Sequence, residues 1–127
     1  MAGYRELKVW QLGMQLTTRI YRITTIFPKH ELYGLSSQMR RAAVSIPSNI
    51  AEGHARGTPK EMMRFCAIAK GSLAELETQL LVTTELGYSD RDEVTNILGS
   101  TAELGRMLSG LIRSHSQETR NRRTPGI

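Results

Sequence analysis

At 127 residues, with 39% hydrophobic content and a formal charge of +5, the chain is sized for one domain that buries roughly two-thirds of its unfolded surface. No run approaches the ~20 apolar residues of a membrane span, so no membrane partner is expected, and the N-terminus MAGYRELKVW carries charges where an export signal needs an apolar core. The single cysteine, Cys66, has no intramolecular disulfide partner, and a reducing, cytoplasmic compartment is expected.

Four helices follow from apolar residues spaced three and four apart. The first spans about Arg5 to Ile26 and stops at Phe27-Pro28, because the residue before proline avoids helical geometry. Its stripe is Val9, Leu12, Leu16, Ile20, Ile23 and Phe27. The second spans about Leu32 to His54, on Leu35, Met39, Ala42, Ala43, Ile46 and Ile50, with Gly53 on the same face for close approach. Pro47 lies deep inside it. It cannot donate to the Ala43 carbonyl, so a kink is expected there, with Ser45, Ser48 and Asn49 at hand for freed backbone groups.

The third helix opens on Thr58-Pro59-Lys60-Glu61: a threonine cap, proline at the first turn and glutamate three residues after the cap. It buries Met62, Phe65, Cys66, Ala69, Leu73, Leu76, Leu80 and Thr83 and ends at Gly87. Ser89 or Asp90 caps the fourth, whose inner face is Val94, Ile97, Leu98, Thr101, Leu104, Leu108, Leu111 and Ile112. The pattern ends near Ser114. Residues 1–115 are therefore expected to form an all-α, antiparallel up-down four-helix bundle, left-handed from its nearly heptad spacing, and residues 116–127 a basic disordered tail.

Catalytic constellations do not emerge. His30, His54 and His115 lie far apart in sequence without a cysteine or carboxylate at ligand spacing, and no Glu-x-x-His pair, phosphate-cradling glycine loop or nucleophile elbow occurs. Glu75 and Glu77 diverge on a helix. Cys66 sits on a core face and reads as a small buried hydrophobe. The chain is expected not to be an enzyme and to need no cofactor or metal.

Three other patterns stand out. Gln38, Ser45, Asn49, Glu52 and Arg56 fall within a roughly 60° sector of the second helix. They read either as a solvated face or as a hydrogen-bonded seam against Ser72 or Glu75 of the third helix. Leu7, Trp10, Met14 and Tyr21 make a second apolar face on the first helix, opposed to its core stripe. A monomer would expose it, so it is the candidate oligomer interface. Lys8, Arg19 and Arg22 share a sector of the first helix; with Arg40, Arg41 and Arg56 they are candidate contacts for RNA or DNA phosphates. No base-reading module is visible.

Charge is uneven along the chain. Residues 1–64 carry +6, residues 65–112 carry −4 and residues 113–127 carry +3. Basic and acidic halves of this kind suit an anionic partner, or head-to-tail contacts between subunits that close into a ring.

The string Phe27-Pro28, Glu31-Leu32-Tyr33-Gly34-Leu35, Gln38, Arg40-Arg41, Ser45-Ile46-Pro47-Ser48-Asn49-Ile50-Ala51-Glu52-Gly53 and Gly71-Ser72-x-x-Glu75 resembles the bacterial four-helix bundle family of 23S rRNA-intervening-sequence proteins. The resemblance spans about residues 4–112. It implies a short up-down bundle and no established enzymatic activity. Some members are encoded inside intervening sequences of ribosomal RNA genes. A related accessory protein of diversity-generating retroelements forms a five-fold ring with a basic surface, associated with nucleic acid and a reverse transcriptase. By that resemblance the expected partners are four further copies of the chain, RNA or DNA, and a protein such as a reverse transcriptase. The sequence leaves open whether the arginines meet nucleic acid or serve a protein scaffold with no nucleic-acid role.

Overall fold

A helix hides one stripe of its surface, and four such stripes facing one another close a core. The computed structural model describes residues 3–123, and the side chains of residues 3–121. Its helices are α1 (Lys8–Thr24), α2 (Leu35–Arg56), α3 (Pro59–Glu85) and α4 (Arg91–Arg123), with 3-10 turns at Tyr4–Glu6 and Lys29–Glu31. No strand occurs among the described residues. α1 begins later than expected because Leu7 is extended, with φ −71° and ψ 125°.

Capping explains the other boundaries. The Thr58 hydroxyl accepts from the Glu61 amide at 3.2 Å, and a carboxylate oxygen of Asp90 accepts from the Glu93 amide at 3.1 Å. Gly57 (φ 79°) ends α2 and Gly87 (φ 75°) follows α3, both left-handed. At Gly87 the amides of Tyr88 and Gly87 donate back to the carbonyls of Thr83 and Thr84 at 2.9 and 3.1 Å, a Schellman closure.

Each helix meets two neighbours: α1 touches α2 and α4, α3 touches α2 and α4, and the diagonal pairs do not approach. Residue numbers run in opposite senses across the shared faces. Arg40 reaches Thr24 while Pro47 faces Gly13; Ser45 meets Ser72 while Gly53 faces Phe65; Glu77 meets Thr101 while Leu73 faces Gly105. Ile20, Met39, Ile46, Ile50, Leu76, Leu80, Ile97, Leu104 and Leu108 fill the centre with essentially no exposure. Leu12, Leu35, Leu98, Leu111 and Ile112, expected inside, pack at its margin. At Gly53 a methyl group would lie 2.8 Å from Phe65 Cβ, so glycine sets the α2–α3 separation.

α2 continues through Pro47 as one helix. The carbonyl that proline leaves without its amide partner, that of Ala43, is met from α1. The Thr17 hydroxyl lies 3.1 Å from it and 2.8 Å from the Gly13 carbonyl, sharing one proton between them. The expected local rescue by Ser45, Ser48 or Asn49 is corrected accordingly: the Asn49 amide group donates to the Ser45 carbonyl instead, at 2.7 Å.

α4 passes its expected end near Ser114 and runs to Arg123, through most of the segment read from sequence as a tail. Apolar periodicity stops there, but no proline or glycine does so before Pro125, and arginines suit the negative end of a helix. Residues 124–127 lie outside the described residues.

Thr17→Val is expected to lower stability by about 1–2 kcal/mol, because it strands a carbonyl at a packed joint. The exposed Thr18, whose hydroxyl meets only the Met14 carbonyl of its own helix, is the control. Thermal melts should show Thr17→Val several degrees below Thr18→Val; equal melting temperatures would remove the hydroxyl from this role.

Candidate functional site

The second apolar face of α1 meets α2 along a groove. α1 and the turn before it supply Tyr4, Trp10, Met14 and Thr17; α2 supplies Val44, Pro47, Ser48 and Ala51, around about 350 Å³ of open space. Trp10 is half-buried, its ring edge-on to Tyr4 with centroids 5.4 Å apart. Met14 and Val44 stand 42% and 40% exposed. Tyr21 continues the row, 44% exposed, with the Arg40 guanidinium 4.9 Å above its ring. Leu7 does not share this surface. It lies at the end of the bundle, lining a separate cavity of about 340 Å³ with Met62, Leu111 and His115. Val44 and Ala51 were missed from sequence, although 44, 47, 48 and 51 have helical spacing and small or apolar side chains.

The six basic candidates fall into four settings. Lys8, Arg19 and Arg22 run along the α4 side of α1; Arg19 borders a cleft of about 150 Å³ opposite Glu103. None of the three has an ion-pair partner among the described residues. Arg40 is held inside the chain: its Nε donates to the Thr24 hydroxyl at 2.8 Å while its guanidinium covers Tyr21. Arg56 pairs with Glu52 at 3.0 Å and lies 4.9 Å over Phe65. Arg41 stands exposed beside Glu75 in the α2–α3 groove.

That groove, about 230 Å³, contains part of the polar stripe: Gln38, Arg41, Ala42, Ser45, Ser72 and Glu75 line it. Ser45 and Ser72 share a hydrogen bond of 2.8 Å between their hydroxyls, and Asn49 donates to the Ser45 hydroxyl at 2.9 Å. Gln38 and Glu52 are exposed. The stripe is thus a short hydrogen-bonded link at Ser45 and Asn49, solvated at both ends.

His54 and His115 line the bundle-end cavity; contrary to the expectation of no carboxylate at ligand spacing, the His115 Nδ1 lies 3.2 Å from an oxygen of Glu118, one helical turn on. His30 is at the opposite end, beside the hydroxyl of Tyr88, which donates to Glu31 at 3.0 Å and whose ring lies 5.5 Å from Phe27. Desolvation, then the Glu31 carboxylate, pushes the Tyr88 phenol above its ordinary value. No group of three or more metal-ligating side chains occurs among the described residues, and none of their helices is long and apolar enough to cross a membrane.

Cys66 is fully buried in the core, and burial pushes its thiol up to about 11. The thiolate is the reactive form, so at pH 8 native protein is expected to resist a thiol reagent that labels the unfolded chain within minutes. Rapid, stoichiometric labelling of native protein would place Cys66 at an accessible site.

The family model described as 23S rRNA-intervening sequence protein matches residues 5–110. A solved structure with the same fold is a protein of unknown function from the S23 ribosomal protein family of Bacteroides thetaiotaomicron VPI-5482. It is 21% identical, covers 82% of this chain and 97% of its own, and superposes with a TM-score of 0.73. Comparison with curated proteins yields no match. A family match over most of the chain, on a four-helix fold with that neighbour, establishes that the chain belongs to the 23S rRNA-intervening sequence protein family.

Proposed function

We propose that the chain is a non-enzymatic helical bundle that acts as a homo-oligomer, with the α1–α2 groove buried between copies. The observation behind this reading is the groove itself, where Trp10, Met14, Val44 and neighbouring Tyr21 leave apolar surface open beside a closed core. Contiguous exposed apolar surface marks interfaces, and aromatic and methionine side chains are enriched there. A second copy is the fitting occupant, because +6 over residues 1–64 and −4 over residues 65–112 complement one another head to tail. Heterologous contacts of that kind close into rings, and the resemblance to the ring-forming accessory protein suggests five subunits.

Light scattering at micromolar concentration tests this on the native chain and on Met14→Glu with Val44→Glu, both at exposed positions. The native protein is expected to assemble and the double variant to be monomeric. A monomeric native chain ends the reading; a variant that assembles fully moves the interface off this groove.

A second reading, binding to nucleic-acid phosphates, is favoured by Lys8, Arg19 and Arg22, which lack ion-pair partners among the described residues. Arg40 counts against it, since its Nε is bonded to Thr24 inside the chain, whereas Arg56 is exposed and pairs only with Glu52 of its own helix. Phosphate contact without base readers makes affinity salt-dependent and indifferent to sequence. Retention of unrelated labelled RNAs should therefore be equal, and should fall steeply from low to physiological salt. No retention at low salt removes this reading.

A further inference from the structure

Residues 65–112 carry the acidic excess of the chain, net −4, yet no carboxylate lines one stretch of the outer groove between α3 and α4. Glu85, Asp90, Asp92 and Glu93 gather around the turn between the helices. Glu75 lines the α2–α3 groove and Glu103 the α1–α4 cleft. Glu77, seven residues along α3 from Lys70, lies on the α3–α4 side but outside this stretch, where its carboxylate accepts from the Thr101 hydroxyl at 2.7 Å.

The outer groove between α3 and α4 is lined by Lys70, Arg106 and Arg113, with Ala102, Gly105 and Ser109 between them, around about 530 Å³ of open space. No carboxylate lines it. The three cations are exposed, and none has an ion-pair partner among the described residues. Arg106 and Arg113 are seven residues apart, so they share one face of α4 at a separation of roughly 10 Å.

We propose that this groove binds the sugar-phosphate backbone of a nucleic acid, independently of base sequence. An exposed cation gains little from one isolated anion. A row of them gains cumulatively from a polyanion, because each neutralised phosphate releases condensed counterions. Two of the three are arginines, whose planar fork matches phosphate oxygens two at a time. The short side chains between them leave room for a backbone to lie close. No aromatic ring lines the groove for base stacking, so contact is confined to the backbone. The α3–α4 face is opposite the α1–α2 groove, so the two are separate surfaces of one copy. It is also distinct from the α1 row of the second reading, and the two stand or fall separately.

The experiment is fluorescence anisotropy with labelled single-stranded RNA of about 20 nucleotides, across a salt series, on the native chain and two triple variants. Lys70→Gln/Arg106→Gln/Arg113→Gln is expected to weaken binding roughly 100-fold near 0.1 M salt and to reduce the salt slope by about 2, three contacts at about 0.7 each. Circular dichroism melts check that the variant is folded, and Lys70→Arg/Arg106→Lys/Arg113→Lys should retain binding. Unchanged affinity and slope in the glutamine variant overturn the proposal. If Lys8→Gln/Arg19→Gln/Arg22→Gln alone loses binding, the α1 row carries the phosphates and this groove does not. Binding of poly-glutamate that the α3–α4 glutamine variant loses, without RNA binding by the native chain, assigns the groove to an acidic polypeptide and also overturns it.

Discussion

Everything on the α1–α2 side depends on one missing hydrogen bond. Pro47 has no amide proton, so the Ala43 carbonyl inside α2 loses its normal partner. An unsatisfied buried carbonyl costs on the order of 1–3 kcal/mol. α1 supplies the remedy through the Thr17 hydroxyl, 3.1 Å away. That reach requires the helices to be close, and they are: Gly13 faces Pro47, where a methyl group would sit in van der Waals contact at 3.4 Å. Thr17, Gly13 and Pro47 thus form a single joint that fixes both the spacing and the register of α1 on α2.

The same joint shapes the surface above it. Thr17 and Pro47 lie in the floor of the α1–α2 groove, with Ser48 and Ala51 beside them. Small residues bring the backbones together and leave nothing tall at the centre. Trp10, Met14 and Val44 then stand as walls around an open space. On the α2–α3 side Gly53 allows a similar approach, but there Met62 and Phe65 fill the interface and are buried. The difference lies in whether large side chains oppose the small ones.

Charge is redistributed by packing in a way that counting along the chain conceals. Arg40 covers Tyr21 and bonds to Thr24, fastening α2 to α1, while exposed Arg56 lies over Phe65 and pairs with Glu52 of its own helix. Arg41 and Arg19 each border a groove opposite a carboxylate, Glu75 and Glu103. Lys70, Arg106 and Arg113 belong to or border the stretch that reads as acidic, yet they line a groove that contains no acid. Segmental net charge averages over all faces of a helix, and a partner meets only one of them.

The four helices, the stripe each one buries, and their caps at Thr58, Asp90 and Gly87 are legible in the sequence. They depend on neighbours one to four residues apart, which the chain places unaided. The end of α4 is less legible, because apolar periodicity marks where a helix packs, and α4 continues to Arg123 beyond its packed stripe. Pro47 announced a vacant carbonyl but not the residue that meets it. Thr17 and Ala43 are 26 positions apart, and only the packed pair of helices brings them together. The same holds for the separation of Leu7 from Trp10 and Met14, the capture of Arg40 by Thr24, and the gathering of Lys70 with Arg106 and Arg113. Local spacing determines which face of a helix a residue occupies; which neighbour that face meets is decided only when the four stripes close on one another.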